Sequence, residues 1–328
     1  MLLSAIYLVA GLALILIGAN ILTDGSAALA RRIGISDLVV GLTVVAFGTS
    51  TPELVISVLS AVRGTAGLAV GNVVGSNIFN ILVIVGVTAT VRPVRVGRDI
   101  MSTEIPLVIL SSLLLVVMAS GPVLDGTSES LITRVDGIIL LIFFILFMRE
   151  TLARARRTPA AGTPQQVPAP TSAPAGMPLP KSIIFIVLGL AGLIIGGDRF
   201  VAGASEIARG MGVSDAVIGL TIVAVGTSLP ELAASVTAAV KGNPDMALGN
   251  VIGSNVFNIF LVLGAAAVVR PLPMGGVTAV DLGTLLGASV LFWICGWLVG
   301  HRTITRGEGI MLTSLYIVYM VWLITNAI

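Results

Sequence analysis

Residues 34–93 of this 328-residue chain recur, without a gap, as residues 212–271. The shift is 178 positions, and 35 of the 60 paired residues are identical. Self-similarity of this kind means one structural unit built twice, and it constrains the fold before any single residue does. Both copies lie in apolar sequence. A run of about 20 apolar residues is long enough to cross a bilayer as a helix. Ten such runs occur, over roughly 2–22, 38–62, 67–89, 104–120, 132–149, 182–198, 217–240, 246–268, 283–300 and 310–327. Hydrophobic residues make up 56% of the chain and charged residues only 10%, against about 25% charged in a soluble domain. The expectation is an all-α polytopic membrane protein with ten transmembrane helices.

The repeat divides the chain into a first five-helix repeat (1–150), a linker (151–181) and a second five-helix repeat (182–328). The linker is rich in Pro, Ala, Thr and Gln and is too short for a folded domain. Five spans is an odd number, so the second repeat enters from the opposite side and the two are inverted in topology. Secondary transporters use this arrangement, with sites near the midplane on interrupted helices. Outside the 60-residue window the halves diverge, which suggests that the peripheral helices are held less tightly. Loop charge sets the orientation. With the N-terminus outside, thirteen Lys/Arg residues face the cytoplasm, including Arg31, Arg92, Arg154 and Lys241, and five face outward; Asp125 and Glu129 then lie outside. The first apolar run has no positive charge before it and is long enough to span, so it reads as a retained helix and not a leader, although Ala28-Leu29-Ala30 resembles a cleavage site. The net charge of +2 is an orientation signal and not a nucleic-acid surface. Cys295 is alone and cannot form an internal disulfide, and His301 is a loop residue.

Two blocks carry the chemistry. Gly48-Thr49-Ser50-Thr51-Pro52-Glu53 matches Gly226-Thr227-Ser228-Leu229-Pro230-Glu231, and Gly71-Asn72-Val73-Val74-Gly75-Ser76-Asn77-Ile78-Phe79-Asn80 matches Gly249-Asn250-Val251-Ile252-Gly253-Ser254-Asn255-Val256-Phe257-Asn258. A glutamate inside a span is costly and marks a functional site by default. Pro52 and Pro230 have no N–H for the carbonyl four residues back, at Gly48 and Gly226, so the backbone loosens there. Thr49 and Glu53 share a helix face, as do Ser76 and Asn80, and the second half repeats this with Thr227, Ser228, Glu231, Ser254 and Asn258. If the halves meet face to face, these are all oxygen ligands, suited to hard cations. Two ionised glutamates carry −2. One divalent cation, or two or three monovalent ones, would neutralise them, and both kinds together would repel in a low-dielectric site. This favours alternation of ion species, which is antiport logic; a proton can stand in for a cation.

Other residues have blander readings. Gly41, Gly71, Gly219 and Gly249 read as helix-packing residues. Thr43, Thr221, Ser57 and Ser235 either bond their own helix backbone or serve the site. Asn72, Asn250, Asn77 and Asn255 either hold helices together or touch an ion. Asp37 and Asp215 read as helix N-caps.

At the two doubled blocks, GTSTPE/GTSLPE and GNVVGSNIFN/GNVIGSNVFN, the sequence resembles the cation/calcium exchanger superfamily, and most closely its sodium/calcium exchanger branch. The resemblance implies alternating access, with the first and sixth helices as a sliding pair. It implies calcium held by Glu53 and Glu231 with the Thr49 and Thr227 carbonyls, and sodium sites drawing on Ser50, Ser76, Ser228 and Ser254. Asn80 and Asn258 would complete the centre. Many members carry aspartate at the position of Asn258; here both halves have asparagine, so the site is more symmetric and one acid short. Potassium dependence is not expected. The proton/calcium branch typically has an acid within the second block, where this chain has Ser76-Asn77 and Ser254-Asn255, which favours sodium. The expected protein is thus a sodium/calcium antiporter of the cell (plasma or inner) membrane, with Ca2+ and Na+ as substrates and lipid around it. No cofactor, no nucleic acid and no obligate oligomer are expected; the monomer would suffice. Proton/calcium exchange is the alternative, and a passive cation channel the next. No plausible activated nucleophile or His/Cys cluster lies in the spans, so an enzyme is not expected.

Overall fold

The computed structural model describes residues 2–64, 66–124, 126, 130–157, 177–211, 224–299 and 302–327. The readings of Asp125, Glu129, Gly212, Asp215, Gly219, Thr221 and His301, and of most of the linker, lie outside these residues. What is described is almost entirely helical. Seven helices are long and apolar enough to cross a membrane: α1 (Leu2–Ile33), α4 (Leu68–Val91), α5 (Ile100–Ala119), α7 (Leu179–Gly210), α9 (Pro244–Val269), α10 (Ala279–Trp297) and α11, whose span is Arg306–Thr325. The pair α2 (Asp37–Thr49) and α3 (Thr51–Arg63) makes an eighth, bent by 46°. Helix α6 (Arg134–Arg157) covers the fifth expected run with 24 residues. Helix α8 (Leu229–Val240) covers most of the described part, 224–240, of the seventh.

Several boundaries differ from the sequence reading, for local reasons. Helix α1 runs to Ile33 and not to residue 22: Thr23 satisfies its hydroxyl on the Ala19 carbonyl, and small residues continue the helix to the stop at Gly34 (φ +72°). Helices α6 and α7 reach into the expected linker from both sides. Asp37 is not the N-cap of α2. Ser36 is, accepting from Val39 N, and Asp37 is the first helical residue. Helices α6, α10 and α11 start at Thr133, Thr278 and Thr305, each paired with an acid three residues on (Asp136, Asp281, Glu308) in reciprocal side-chain-to-backbone bonds. Two orphan amides are satisfied at each start.

Burial orders the helices. Of the apolar windows, 72% of α4 and 83% of α9 is buried, against 28% of α1 and of α7. The central pair therefore carries the second shared block, Gly71–Asn80 and Gly249–Asn258. The outer pair, α1 and α7, run antiparallel and pack mostly on one another. Glycines let their backbones touch: a Cβ at Gly11, Gly18 or Gly25 would meet α7 backbone or Cβ atoms within 2.5–2.8 Å, and one at Gly189, Gly196 or Gly203 would meet α1 backbone within 2.5–2.8 Å. Small residues at such spacing allow close helix approach in lipid. Gly41 and Gly249 do the same where α2 crosses α9, as their packing reading expects.

Two-residue strand pairs clasp the loops. Strand β1 (Val94–Arg95) pairs with β4 (Thr303–Ile304), and β2 (Leu131–Ile132) with β3 (Leu272–Pro273), both antiparallel. Each pair joins a first-copy loop to a second-copy loop. Arg92 extends this exchange, donating to the Ala239 and Val240 carbonyls at the end of α8, where a cation complements the helix dipole.

Candidate functional site

The site forms where α2–α3, α4, α8 and α9 meet. Ser50 (φ −83°, ψ 5°) separates α2 from α3, and Ser228 (φ −93°, ψ 6°) precedes α8 in the same conformation. Proline follows within the first turn of each new helix, where its missing N–H costs nothing. Glu53 and Glu231 then sit in those first turns, at the positive end of the helix dipole. Both are fully buried, at 0% and 1% exposed, and among the described residues neither is ion-paired.

Partners differ between the two. Ser50 Oγ donates to Glu231 Oε1 at 3.1 Å, with Thr49 close by. Thr227 and Ser228 flank Glu53 as Thr49 and Ser50 flank Glu231, and Glu231 is within electrostatic reach of it, but no donor comes within hydrogen-bond distance of either Glu53 oxygen. The dressing is therefore crossed: residues of one copy flank the carboxylate of the other.

Asparagines frame the cluster. Asn250 Nδ2 donates to the Glu231 carbonyl (3.2 Å) and to Ser235 Oγ (2.8 Å), and its Oδ1 accepts from Thr49 Oγ1 (3.2 Å). Asn72 Nδ2 likewise donates to Ser57 Oγ (3.1 Å). So Ser57 and Ser235 tie neighbouring helices together through these amides, while Thr43 does bond its own backbone, to Val39. Asn258 Nδ2 donates to Asn77 Oδ1 (3.0 Å), and Asn77 Nδ2 to the Asn255 carbonyl (3.2 Å). Asn80 opens a π-helical turn, Asn80–Ile84, and Asn258 lies in the matching one, Phe257–Leu263. Such turns are frequent at functional sites.

The decisive feature is what lacks a partner. Buried side-chain polar atoms are nearly always hydrogen-bonded. Fourteen exceptions occur among the described residues, and ten of them belong to Glu53, Ser76, Asn80, Ser228, Glu231, Ser254, Asn255 and Asn258. A buried serine in a helix normally bonds the carbonyl four back, as Ser112 and Ser289 do; Ser76 and Ser254 do not. Nine of the ten atoms are oxygens that can face a cation, Asn80 Nδ2 being the exception. An unpaired buried carboxylate costs several kcal/mol. The structure thus brings together six of the ten candidates (Glu53, Glu231, Thr49, Ser50, Thr227 and Ser228) by the contacts and flanking just given, and buries the other four, Ser76 and Asn80 on α4 and Ser254 and Asn258 on α9, on the adjoining helices. Asn77 and Asn250 are the members of the network that the sequence left undecided. Their signal was identity between the two copies.

The profile of the family described as sodium/calcium exchanger protein matches residues 3–149 and 181–325. The chain belongs to the sodium/calcium exchanger family. The exchanger is 36% identical over 331 residues to the putative antiporter CaxA of Alkalimonas amylolytica, covering 99% of this chain and 100% of that one. It is 31% identical to the sodium/calcium exchanger MaX1 of Methanosarcina acetivorans, covering 96% of each. Its fold matches that of the sodium-calcium exchanger NCX_Mj soaked with 10 mM Na+ and zero Ca2+, at TM-score 0.81 and 31% identity over 98% of each chain. It is therefore a multi-pass integral membrane protein and a cation/calcium exchanger, not an enzyme.

Proposed function

We propose that this exchanger moves Ca2+ out of the cell against Na+ entry by alternating access around one central site. Glu53, Glu231, Asn80, Asn258, Ser50, Ser76, Ser228 and Ser254, with Thr49 and Thr227, are its ion ligands. The observation that carries this reading is the cluster of buried oxygens left without hydrogen bonds. A hard cation takes six to eight such oxygens when it is calcium. The pair of carboxylates matches one divalent charge, and two or three sodium ions do nearly the same, so the species displace one another. The relatives named for sodium/calcium exchange support sodium as the coupling ion. The two copies act as inverted five-helix repeats, making ten spans, with the N-terminus outside and the linker in the cytoplasm of a cell-membrane protein. The site lies near the bilayer midplane, and α1 and α7, packed on each other through glycines and little buried elsewhere, form the moving pair.

The test is calcium uptake into sodium-loaded proteoliposomes, with potassium-loaded and pH-jump controls. Uptake that needs the sodium gradient and generates current is the expected result. Uptake driven by a proton gradient and indifferent to sodium would reassign the coupling ion. Flux without any counter-ion would make the protein a channel.

A further inference from the structure

We propose that Asn77 is a positioning residue: it decides which end of the Asn258 amide faces the ion site, and so makes Asn258 an oxygen ligand. This rests on the site reading above. An asparagine amide has one accepting end and one donating end, and only the oxygen can hold a cation. Which end faces the site depends on what holds the other. Here the choice begins at a backbone group that cannot turn round. The Asn255 carbonyl only accepts, so the end of Asn77 facing it, 3.2 Å away, is Nδ2. Asn77 Oδ1 is then the end that meets Asn258, and it too only accepts. Asn258 must answer with Nδ2, at 3.0 Å. Its Oδ1 is left buried and without a partner. Asn77 and Asn255 are 0% exposed and Asn258 is 1%, so solvent offers no alternative donor or acceptor. A fixed carbonyl polarity is thus passed through two amides to the ligand.

The mirror relay is not made. By the repeat, it would run from Asn80 to Asn255 and on to the Asn77 carbonyl. Instead Asn255 Nδ2 bonds the Val251 carbonyl at 2.7 Å, and Asn80 has no partner at either end. The two central asparagines therefore differ: Asn258 is oriented before an ion arrives, and Asn80 is not.

The experiment compares Asn77→Thr with Asn77→Val, which have the same outline. A threonine hydroxyl can donate to the Asn255 carbonyl and accept from Asn258; valine can do neither. Sodium-driven calcium uptake in proteoliposomes gives KM for each ion. Asn77→Thr should stay within about threefold of the parent, and Asn77→Val should raise KM for at least one ion about tenfold, the loss of one oriented polar contact. If the valine variant does not reach the membrane, Asn77→Ser against Asn77→Ala makes the same comparison. The second arm uses Asn258→Asp, whose two ends are both oxygens. In that background the Thr/Val difference should shrink below about threefold, a coupling read as a double-mutant cycle. Equal KM values for Thr and Val, or a difference that persists with Asp at 258, would overturn the proposal. A third variant separates its failure from that of the site: if Asn258→Ala leaves both KM values unchanged, Asn258 is no ligand, and the site reading falls at that residue together with the role of Asn77.

Discussion

The two copies share their motifs but not their state. In the first, Glu53 and Asn80 have no hydrogen bond on any side-chain polar atom. In the second, Glu231 and Asn258 each have one atom engaged, by Ser50 and by Asn77. Both tethers come from the first copy. The matched motifs are thus used unequally: the first copy supplies the residues that engage one atom each of Glu231 and Asn258, and Glu53 and Asn80 have no such bond in return. The difference shows that a duplicated motif specifies a set of chemical groups, while the partner it happens to face decides how each is presented.

The strongest way to break this comparison is at the carboxylates. Glu53→Gln and Glu231→Gln should each cut sodium-driven calcium uptake by about 100-fold or more, with the protein still monodisperse in detergent, because each removes a buried charge that offsets the cation. Glu231→Gln should be the worse by about tenfold. Ser50 would take the new amide's oxygen and turn its NH2 to the site, whereas at Glu53 no donor stands within hydrogen-bond distance, so the amide of the Glu53→Gln variant could still offer its oxygen. Ser50→Ala should then recover part of the Glu231→Gln loss. A Glu53→Gln variant as inactive as Glu231→Gln, with no recovery, would remove the functional meaning of the tether.

Next in size is the helix crossing that the copies share. An added Cβ at Gly41 would lie 2.5 Å from the Met246 carbonyl oxygen, and one at Gly249 would lie 2.6 Å from that of Leu38. Gly41→Ala and Gly249→Ala should each destabilise by about 1–3 kcal/mol through overpacking, equally and not additively, as judged by thermal unfolding in detergent. Additive losses would mean that the two glycines do not serve one crossing.

A smaller effect separates the serines. Ser50→Ala and Ser228→Ala should both raise ion KM. Only Ser50→Ala should also lower stability, by about 1 kcal/mol, since it breaks a buried bond to a charged group; Ser228 Oγ has none to lose. The smallest contrast is at the ends of α3 and α8. Lys241 holds Asp24 at 2.8 Å and the Asn20 carbonyl at 2.8 Å, whereas its counterpart Arg63 is exposed. Lys241→Ala should lower the melting temperature by roughly 2 °C, from an ion pair contributing under about 1 kcal/mol, and Arg63→Ala should not change it.

What could be read from the sequence follows from how strongly each feature is penalised when wrong. Two glutamates in apolar spans, matched serines and threonines and a 60-residue repeat leave few alternatives, and Glu53, Glu231, Ser76 and Ser254 are buried where that logic puts them. Weakly penalised features were missed. Ser36 and Asp37 are both good caps, and only the local backbone chooses between them. Ser57 and Ser235 could each have bonded their own helix; that an asparagine on the next helix takes them depends on how the helices face. The orientation of the asparagine amides has no sequence signal at all, because it is fixed by a carbonyl from a distant segment. The strand pairs are two residues long and leave no alternating pattern to find.

Those strand pairs also set the order in which the molecule can be finished. Ile132 pairs with Leu272, 140 residues later, and Val94 with Ile304, 210 residues later. During synthesis the first copy is therefore left with open loop edges and with Glu53 not yet flanked by Thr227 and Ser228. Its clasps close in the order β2–β3, then β1–β4, so the earliest-made strand is the last to be paired. A chain that ended after the first copy would lack the partners of both of its strands.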